Sequence, residues 1–428
     1  MSLGRTVRLA CALALLAGCS SSSGAAGGTG AAGASAASVG GTGASAGTGT
    51  SAVGSAGVGG TPLSSGAGGS DAGASSANGG SAGSSTANAG SAGQGGGAAG
   101  PLGPRFIGRF DMSNPSAPVF EWSGTAISLR FSGTAIGVTL SDGASDVFEV
   151  VLDGMQTVVP TIGGTNKYML GTGLAAGPHD LLLYRRTEAF FGDTTFGGFD
   201  IDTSAYLPGD PLPTRRLEVI GDSISAGYGD EGTYPCTFVP ATENQYLTYE
   251  ALAARSVGAD LYTEAWSGIG IIRNTGGDTT NPTMPMRYPL TLPNKGTVTG
   301  NNWDFSKYVP DAVVINLGTN DFSTGDPGMA FQTAYTTFVT NLRGHYPKAR
   351  FYLAVGPMLS GTAYDQAKAY INGVIGARSG AGDKNLALLE FGTQDPADGL
   401  GCDSHPTLTT HQKMSVKLVA ALAADLGW

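Results

Sequence analysis

Leu217-Glu218-Val219-Ile220-Gly221-Asp222-Ser223-Ile224-Ser225 is the stretch from which the rest of the chain can be read. A short, mostly apolar strand runs into Gly-Asp-Ser, so Ser223 is delivered at the mouth of a strand. Gly-Asp-Ser alone marks a turn; its weight comes from two distant blocks. These are Gly318-Thr319-Asn320-Asp321 and, near the end of the chain, Asp403-Ser404-His405-Pro406. Acyl transfer needs a hydroxyl to attack, an imidazole to take its proton and an amide to hold an oxyanion. Ser223, His405 and Asn320 supply those parts in an order that points to a hydrolase.

Around Ser223, strand and helix patterns alternate. Strands are expected at 217–220, 261–265, 312–317, 351–355 and 386–390. A helix is expected from Asn244 to Val257, stopped by Gly258. The last helix should run from Thr409 to Leu426, with Met414, Leu418, Leu422 and Leu426 on one face. Near-continuous apolar strands separated by helices predict a parallel sheet covered on both faces, an α/β domain over 211–428. In such sheets, sites form at the carboxyl ends of strands. The segment 104–210 reads differently. Ile127, Leu129 and Phe131 alternate with polar residues, as do Ile136, Val138 and Leu140, and strands follow at 148–152 and 181–184. That pattern predicts an antiparallel β-sandwich. Trp122 and Phe131 read as core. Arg185, Arg186 and Glu188 could contact the second domain, but read first as a solvated strand end.

The first hundred residues are of another kind. Arg5 and Arg8 precede an apolar run from Leu9 to Ala17, too short to span a bilayer and typical of a secretory signal, residues 1–18. Leu16-Ala17-Gly18-Cys19 resembles a lipoprotein box, which makes Cys19 the lipidated residue. The chain is then expected to be an exported lipoprotein at the outer membrane or cell surface, its membrane contact being that anchor. Residues 19–103 are almost entirely Gly, Ala and Ser, with little apolar surface to offset the entropy of ordering. Such a linker has a reach of roughly 50 Å.

Of four cysteines, Cys11 leaves with the signal and Cys19 carries lipid. An oxidising compartment would pair the remaining Cys236 and Cys402. The formal net charge of −10 is not that of a nucleic-acid binder. No Cys/His cluster suggests a metal site, and no cofactor is expected. A monomer is expected.

At these residues the chain resembles the SGNH, or GDSL-type, hydrolases, named for Ser, Gly, Asn and His in four blocks. The second block is Trp266-Ser267-Gly268-Ile269-Gly270. Arg186-Thr187-Glu188, Asp260 to Trp266 and Asn316 to Phe322 narrow the resemblance to the second family of carbohydrate esterases. It covers about Phe106 to Trp428. It implies a jelly-roll module joined to a three-layer SGNH domain, and acetyl esterase activity on plant polysaccharides such as xylan or glucomannan. It also implies Ser223 as nucleophile, His405 as base, and an oxyanion hole from the Ser223 and Gly268 N–H groups and the Asn320 amide. One departure stands out. Most SGNH enzymes carry an aspartate three residues before the histidine, where this chain has Cys402. Either Asp403 orients His405, or a backbone carbonyl does and the enzyme is a Ser–His dyad.

Of the other histidines, His179 and His345 read as surface or structural residues; His411 competes with His405 as base but falls inside the expected last helix, whereas His405 lies in the preceding loop, where site residues concentrate. Asp222 and Asp321 read as loop-holding groups, and Trp266, Trp303 and Tyr288 as core packing. Two further functions compete with the acetyl esterase. One is a general esterase or lipase for small acyl esters; the other is a polysaccharide-binding surface protein with a vestigial hydrolase domain.

Overall fold

The computed structural model describes residues 99–143 and 145–428. The signal segment 1–18, Cys19 and the linker as far as residue 98 lie outside the described residues. From Gly100 the chain is already engaged, its N–H donating to the Gly209 carbonyl at 3.0 Å. Leu102 bridges Pro208 in the same way.

Two antiparallel sheets face each other over 105–207. One has the order Arg105–Ile107, Ala126–Ser132, Pro178–Arg185, Val147–Leu152, Met155–Pro160. The other has the order Val119–Phe120, Thr194–Asp200, Ala135–Asp142, Gly164–Thr172. The period-two alternation puts Ile127, Leu129, Phe131, Ile136, Val138 and Leu140 into one buried cluster between them. A fully buried side chain of this size is worth about 1.5–3 kcal/mol. The strands at 164–172 and 194–200 were not anticipated. Their residues, such as Gly164-Thr165-Asn166-Lys167, are polar and glycine-rich, and pairing with Ala135–Asp142 makes them strands.

The second layered unit is a five-stranded parallel sheet in the order Ala259–Ala265, Arg215–Gly221, Ala312–Asn316, Arg350–Val355, Leu386–Glu390. Ile220, Val313, Ile315 and Leu353 pack on one face with the helices Met329–His345 and Gly361–Gly380. Leu217, Val219, Val314 and Ala354 pack on the other, with Tyr249–Val257 and Leu408–Leu426. The helix expected from Asn244 begins only at Tyr249, after a 3-10 turn at Gln245–Leu247. The Gln245 amide is committed inward, to Glu250 at 3.2 Å and Thr263 at 3.1 Å, which holds the turn out of helical geometry.

In chain order this sheet is 2-1-3-4-5, so the connections reverse direction between the first and third strands. That switch point opens a crevice at the carboxyl ends of those strands. Ser223 leaves the first and Asn320 follows the third.

The sandwich and the α/β layers share buried charge. Arg109 is fully buried, with Nη2 3.1 Å from Glu218 Oε1 and Nε 2.8 Å from Glu264 Oε1. Tyr288 and Tyr346 hydroxyls donate to Glu218, and the guanidinium lies 4.6 Å from the Tyr288 ring centroid. Removing one partner of such a cluster costs about 3–5 kcal/mol, because a charge is left buried without compensation. The expectation that Arg185, Arg186 and Glu188 form a solvated strand end is wrong. All three are buried at 2 % exposure or less. Arg185 is clamped inside the sandwich by Asp146 at 2.7 Å, while Arg186 Nε donates to the Glu243 carbonyl at 2.9 Å. The partners that bury their charge or reach across to the other layers, Asp146, Glu243 and Ser267, lie 39, 57 and 79 residues away, so no local pattern could reveal them.

Candidate active site

Ser223 is presented by a tight local device. Asp222 is the N-cap of the one-turn helix Ser223–Ala226, and its Oδ1 accepts from the Ile224 N–H at 3.0 Å. Gly221 must be glycine, since a Cβ there would lie 2.2 Å from Ser225 Oγ. His405 Nε2 lies 2.9 Å from Ser223 Oγ across a sequence separation of 182. That is hydrogen-bond reach for proton transfer.

The histidine loop is tied to the loop after the serine. Cys236 and Cys402 form a disulfide with a Cα–Cα distance of 4.7 Å. Cys402 N–H donates to Gly229 O at 2.9 Å, and Asp403 N–H to Cys236 O at 3.0 Å. The Tyr228 ring packs between Phe238, at 3.9 Å between centroids, and the His405 ring at 4.3 Å.

Asp403 is turned elsewhere. Its backbone is left-handed, with φ of 50°, and its Oδ2 accepts from Tyr228 Oη at 2.9 Å and from the Phe238 N–H at 3.1 Å. His405 Nδ1 has no well-formed hydrogen bond; the groups beside the ring are the carbonyls of Cys402 and Asp403. The aspartate therefore braces the Tyr228 shelf under the imidazole, and the geometry favours carbonyl orientation over a carboxylate one. Asp403→Asn is expected to lower kcat less than about tenfold, against the roughly 10⁴-fold loss when a carboxylate orienter is neutralised. Steady-state kinetics decide it, and a loss of several thousandfold would restore the triad. Asparagine tolerates left-handed backbone, so the variant tests the charge and not the loop.

Burial pushes His405 below its ordinary value to about 4, outweighing the carbonyls and the Asp403 charge, which raise it. A general base must be neutral to accept a proton. Activity is accordingly present above that value and lost as pH falls through it. kcat/KM, which reports the free enzyme, is expected to stay flat down to about pH 5 and reach half near 4. An acid limb at the ordinary histidine value near 6.5 in a pH–rate profile would contradict this.

Gly268 occupies a turn with φ of +76°, where an added Cβ would be strained and would also meet Thr275 at 3.1 Å. That turn is held by Asp321, whose Oδ2 accepts from the Ile271 N–H at 2.9 Å and whose Oδ1 accepts from the Ile272 N–H at 2.8 Å. Asn320 Nδ2 donates to the Ile269 carbonyl at 2.8 Å and makes only a long contact of 3.4 Å with Asp222 Oδ2. One amide hydrogen is thus anchored, and the other is weakly used. Ser223, Gly268, Asn320, His405 and Tyr228 line one cleft of about 550 Å³.

The remaining candidates lie apart from it. His411 Nδ1 accepts from the Tyr249 N–H at 3.2 Å, and His179 sits between Asp153 at 2.6 Å and the Ala175 carbonyl at 2.8 Å. His345 stacks on Phe305 at 3.8 Å. Trp266, Trp303 and Tyr288 are buried. The aromatic residues that line the cleft are instead Tyr228 and Phe322, with Phe238 and then Phe191 stacked behind Tyr228. Their stacking contacts link positions up to 177 residues apart.

A catalytic-type Ser–His pair at the switch point of a 2-1-3-4-5 sheet, behind a β-sandwich, defines a carboxylic ester hydrolase of the GDSL class. Residues 106–211 match the family model described as Carbohydrate esterase 2 N-terminal, and residues 219–413 match the GDSL-like Lipase/Acylhydrolase family. The chain belongs to family two of the carbohydrate esterases. A structure of a family two carbohydrate esterase from Clostridium thermocellum in complex with cellohexaose superposes with a TM-score of 0.73. It is 42% identical and covers 76% of this chain and 100% of that one. Cellulase/esterase CelE of Acetivibrio thermocellus is 42% identical over 324 residues, 75% of this chain; the match spans only 39% of that longer protein. An acetylxylan esterase / glucomannan deacetylase of Cellvibrio japonicus is 26% identical over 334 residues, covering 75% of this chain and 88% of its own.

Proposed function

We propose that the protein is a serine esterase that removes O-acetyl groups from plant-type polysaccharides such as xylan or glucomannan. The observation that carries the reading is the 2.9 Å contact between Ser223 Oγ and His405 Nε2 in a cleft that also holds Gly268 and Asn320. Ser223 Oγ attacks the acetyl carbonyl as His405 takes its proton. The N–H groups of Ser223 and Gly268 and the Asn320 amide receive the oxyanion. His405 then passes the proton to the departing sugar oxygen, and water, activated by the same imidazole, releases acetate. A glycan substrate is supported by the exposed ring of Phe190, 65% accessible, which meets Trp266, two residues before Gly268, edge-on at 6.2 Å between centroids. It is supported too by the named substrates of the Cellvibrio japonicus relative and by the cellohexaose held by the Clostridium thermocellum one.

The test is acetate release by the wild type from acetylated xylan, acetylated glucomannan and 4-nitrophenyl acetate. Release from the glycans supports the reading. Turnover of the nitrophenyl ester alone replaces it with a general esterase, and glycan binding with no turnover replaces it with a binding protein. We further propose that Cys19 anchors the enzyme to the outer membrane or cell surface, its linker giving the site reach toward an insoluble substrate. Metabolic labelling with a palmitate analogue in wild type and Cys19→Ala tests the anchor; equal labelling would remove it.

A further inference from the structure

The site just described uses no residue of the β-sandwich for chemistry, yet one sandwich carboxylate reaches into it. Glu188 ends the segment after the strand Pro178–Arg185 and is 2 % exposed. Its Oε2 accepts from the Ser267 N–H at 2.6 Å, a bond between groups 79 residues apart. Ser267 is the residue before Gly268. The same glutamate is fixed at its other end, since its own N–H donates to Glu243 Oε2 at 3.1 Å. Glu243 is fully buried, and its Oε1 faces no N–H or O–H donor. Glu188 and Glu243 thus lie side by side as two buried carboxyl groups joined through the Glu188 backbone.

We propose that Glu188 is a positioning residue for the oxyanion hole, a strut from the β-sandwich that sets the Gly268 N–H by holding the Ser267 N–H, with Glu243 fixing its backbone. The inference rests on the esterase reading of the cleft. Asp321 holds the far side of the same turn through the N–H groups of Ile271 and Ile272, so Gly268 is clamped between two carboxylates, one from each half of the protein. Burial is the main reason both glutamates are raised from their ordinary value, Glu243 well above it. The titratable groups facing the pair are Arg185, Asp230 and the neutral Tyr228, with Arg186 and Glu231 beyond Asp230, and none of them bonds the Ser267 N–H. A carboxylate accepting a short bond from a peptide N–H is a strong, directional restraint. Displacement of a reacting group by about 1 Å can cost about a hundredfold in rate.

Glu188→Asp and Glu188→Ala withdraw the acceptor from Ser267, whereas Glu188→Gln keeps an acceptor there and offers its amide to Glu243. The expected result is a ten- to hundredfold lower kcat for Asp and Ala, with KM within about twofold, and recovery to near wild type by Gln. In parallel, amide hydrogen exchange across 266–270 should quicken in Asp and Ala and stay slow in Gln. If Asp and Ala keep wild-type kcat and exchange, or Gln is as impaired as Ala, the strut is wrong. If the wild type itself releases no acetate, the esterase reading has failed. The exchange comparison then still decides whether Glu188 fixes the turn.

Discussion

Ser223→Ala is expected to lower kcat for acetate release by on the order of 10⁴ to 10⁶ while leaving the fold intact. The hydroxyl is bonded to His405 Nε2 at 2.9 Å, so its loss removes one bond at the surface of a cleft rather than a core contact. Asp222 still caps the helix through Ile224, and Gly221 still lets Ser225 approach. Circular dichroism and thermal midpoint should therefore match the wild type. A residual rate above background is also expected, because the oxyanion donors survive. Equal acetate release from the variant and the wild type would mean that the nucleophile lies elsewhere and the mechanism proposed for this cleft is wrong.

Asn320→Ala should cost on the order of 10² to 10³ in kcat, about 2.7–4 kcal/mol of transition-state stabilisation, with little change in KM. The amide is rigid because Ile269 O takes one hydrogen at 2.8 Å, and the buried Asp222 carboxylate lies 3.4 Å from the same nitrogen. Burial raises that carboxyl to about 7, so it competes weakly with a developing oxyanion for the second hydrogen in the acid range. Single-turnover kinetics on 4-nitrophenyl acetate separate the acylation step from product release. A loss confined to KM would assign Asn320 to substrate binding instead.

The two variants also differ in what they say about the fold. Ser223 is placed by residues 221 to 225, whose sequence already dictates strand, cap and turn. Asn320 is placed by its neighbours Asp321 and Gly318 together with the loop at 269–273, and only the last of these is remote. Both were therefore visible in the chain, as were the five parallel strands. The strands at 312–316 and 350–355 are short apolar runs whose buried side chains alternate between the two helical layers. The helix from Leu408 to Leu426 was equally plain, with Met414, Leu418 and Leu422 buried at fourfold spacing.

Other features were decided only when distant segments met. Whether Asp403 faces His405 depends on a left-handed backbone and on Tyr228 and the Phe238 N–H competing for its carboxylate, and the spacing to the histidine encodes none of that. Arg109, Arg186 and Glu188 look like ordinary surface charges in sequence. They are buried because their counter-groups arrive from the other half of the protein. Periodicity and caps are short-range and are written residue by residue. The pairing of buried polar groups is a long-range matter, satisfied only by whatever donor or acceptor the folded chain brings within about 3 Å.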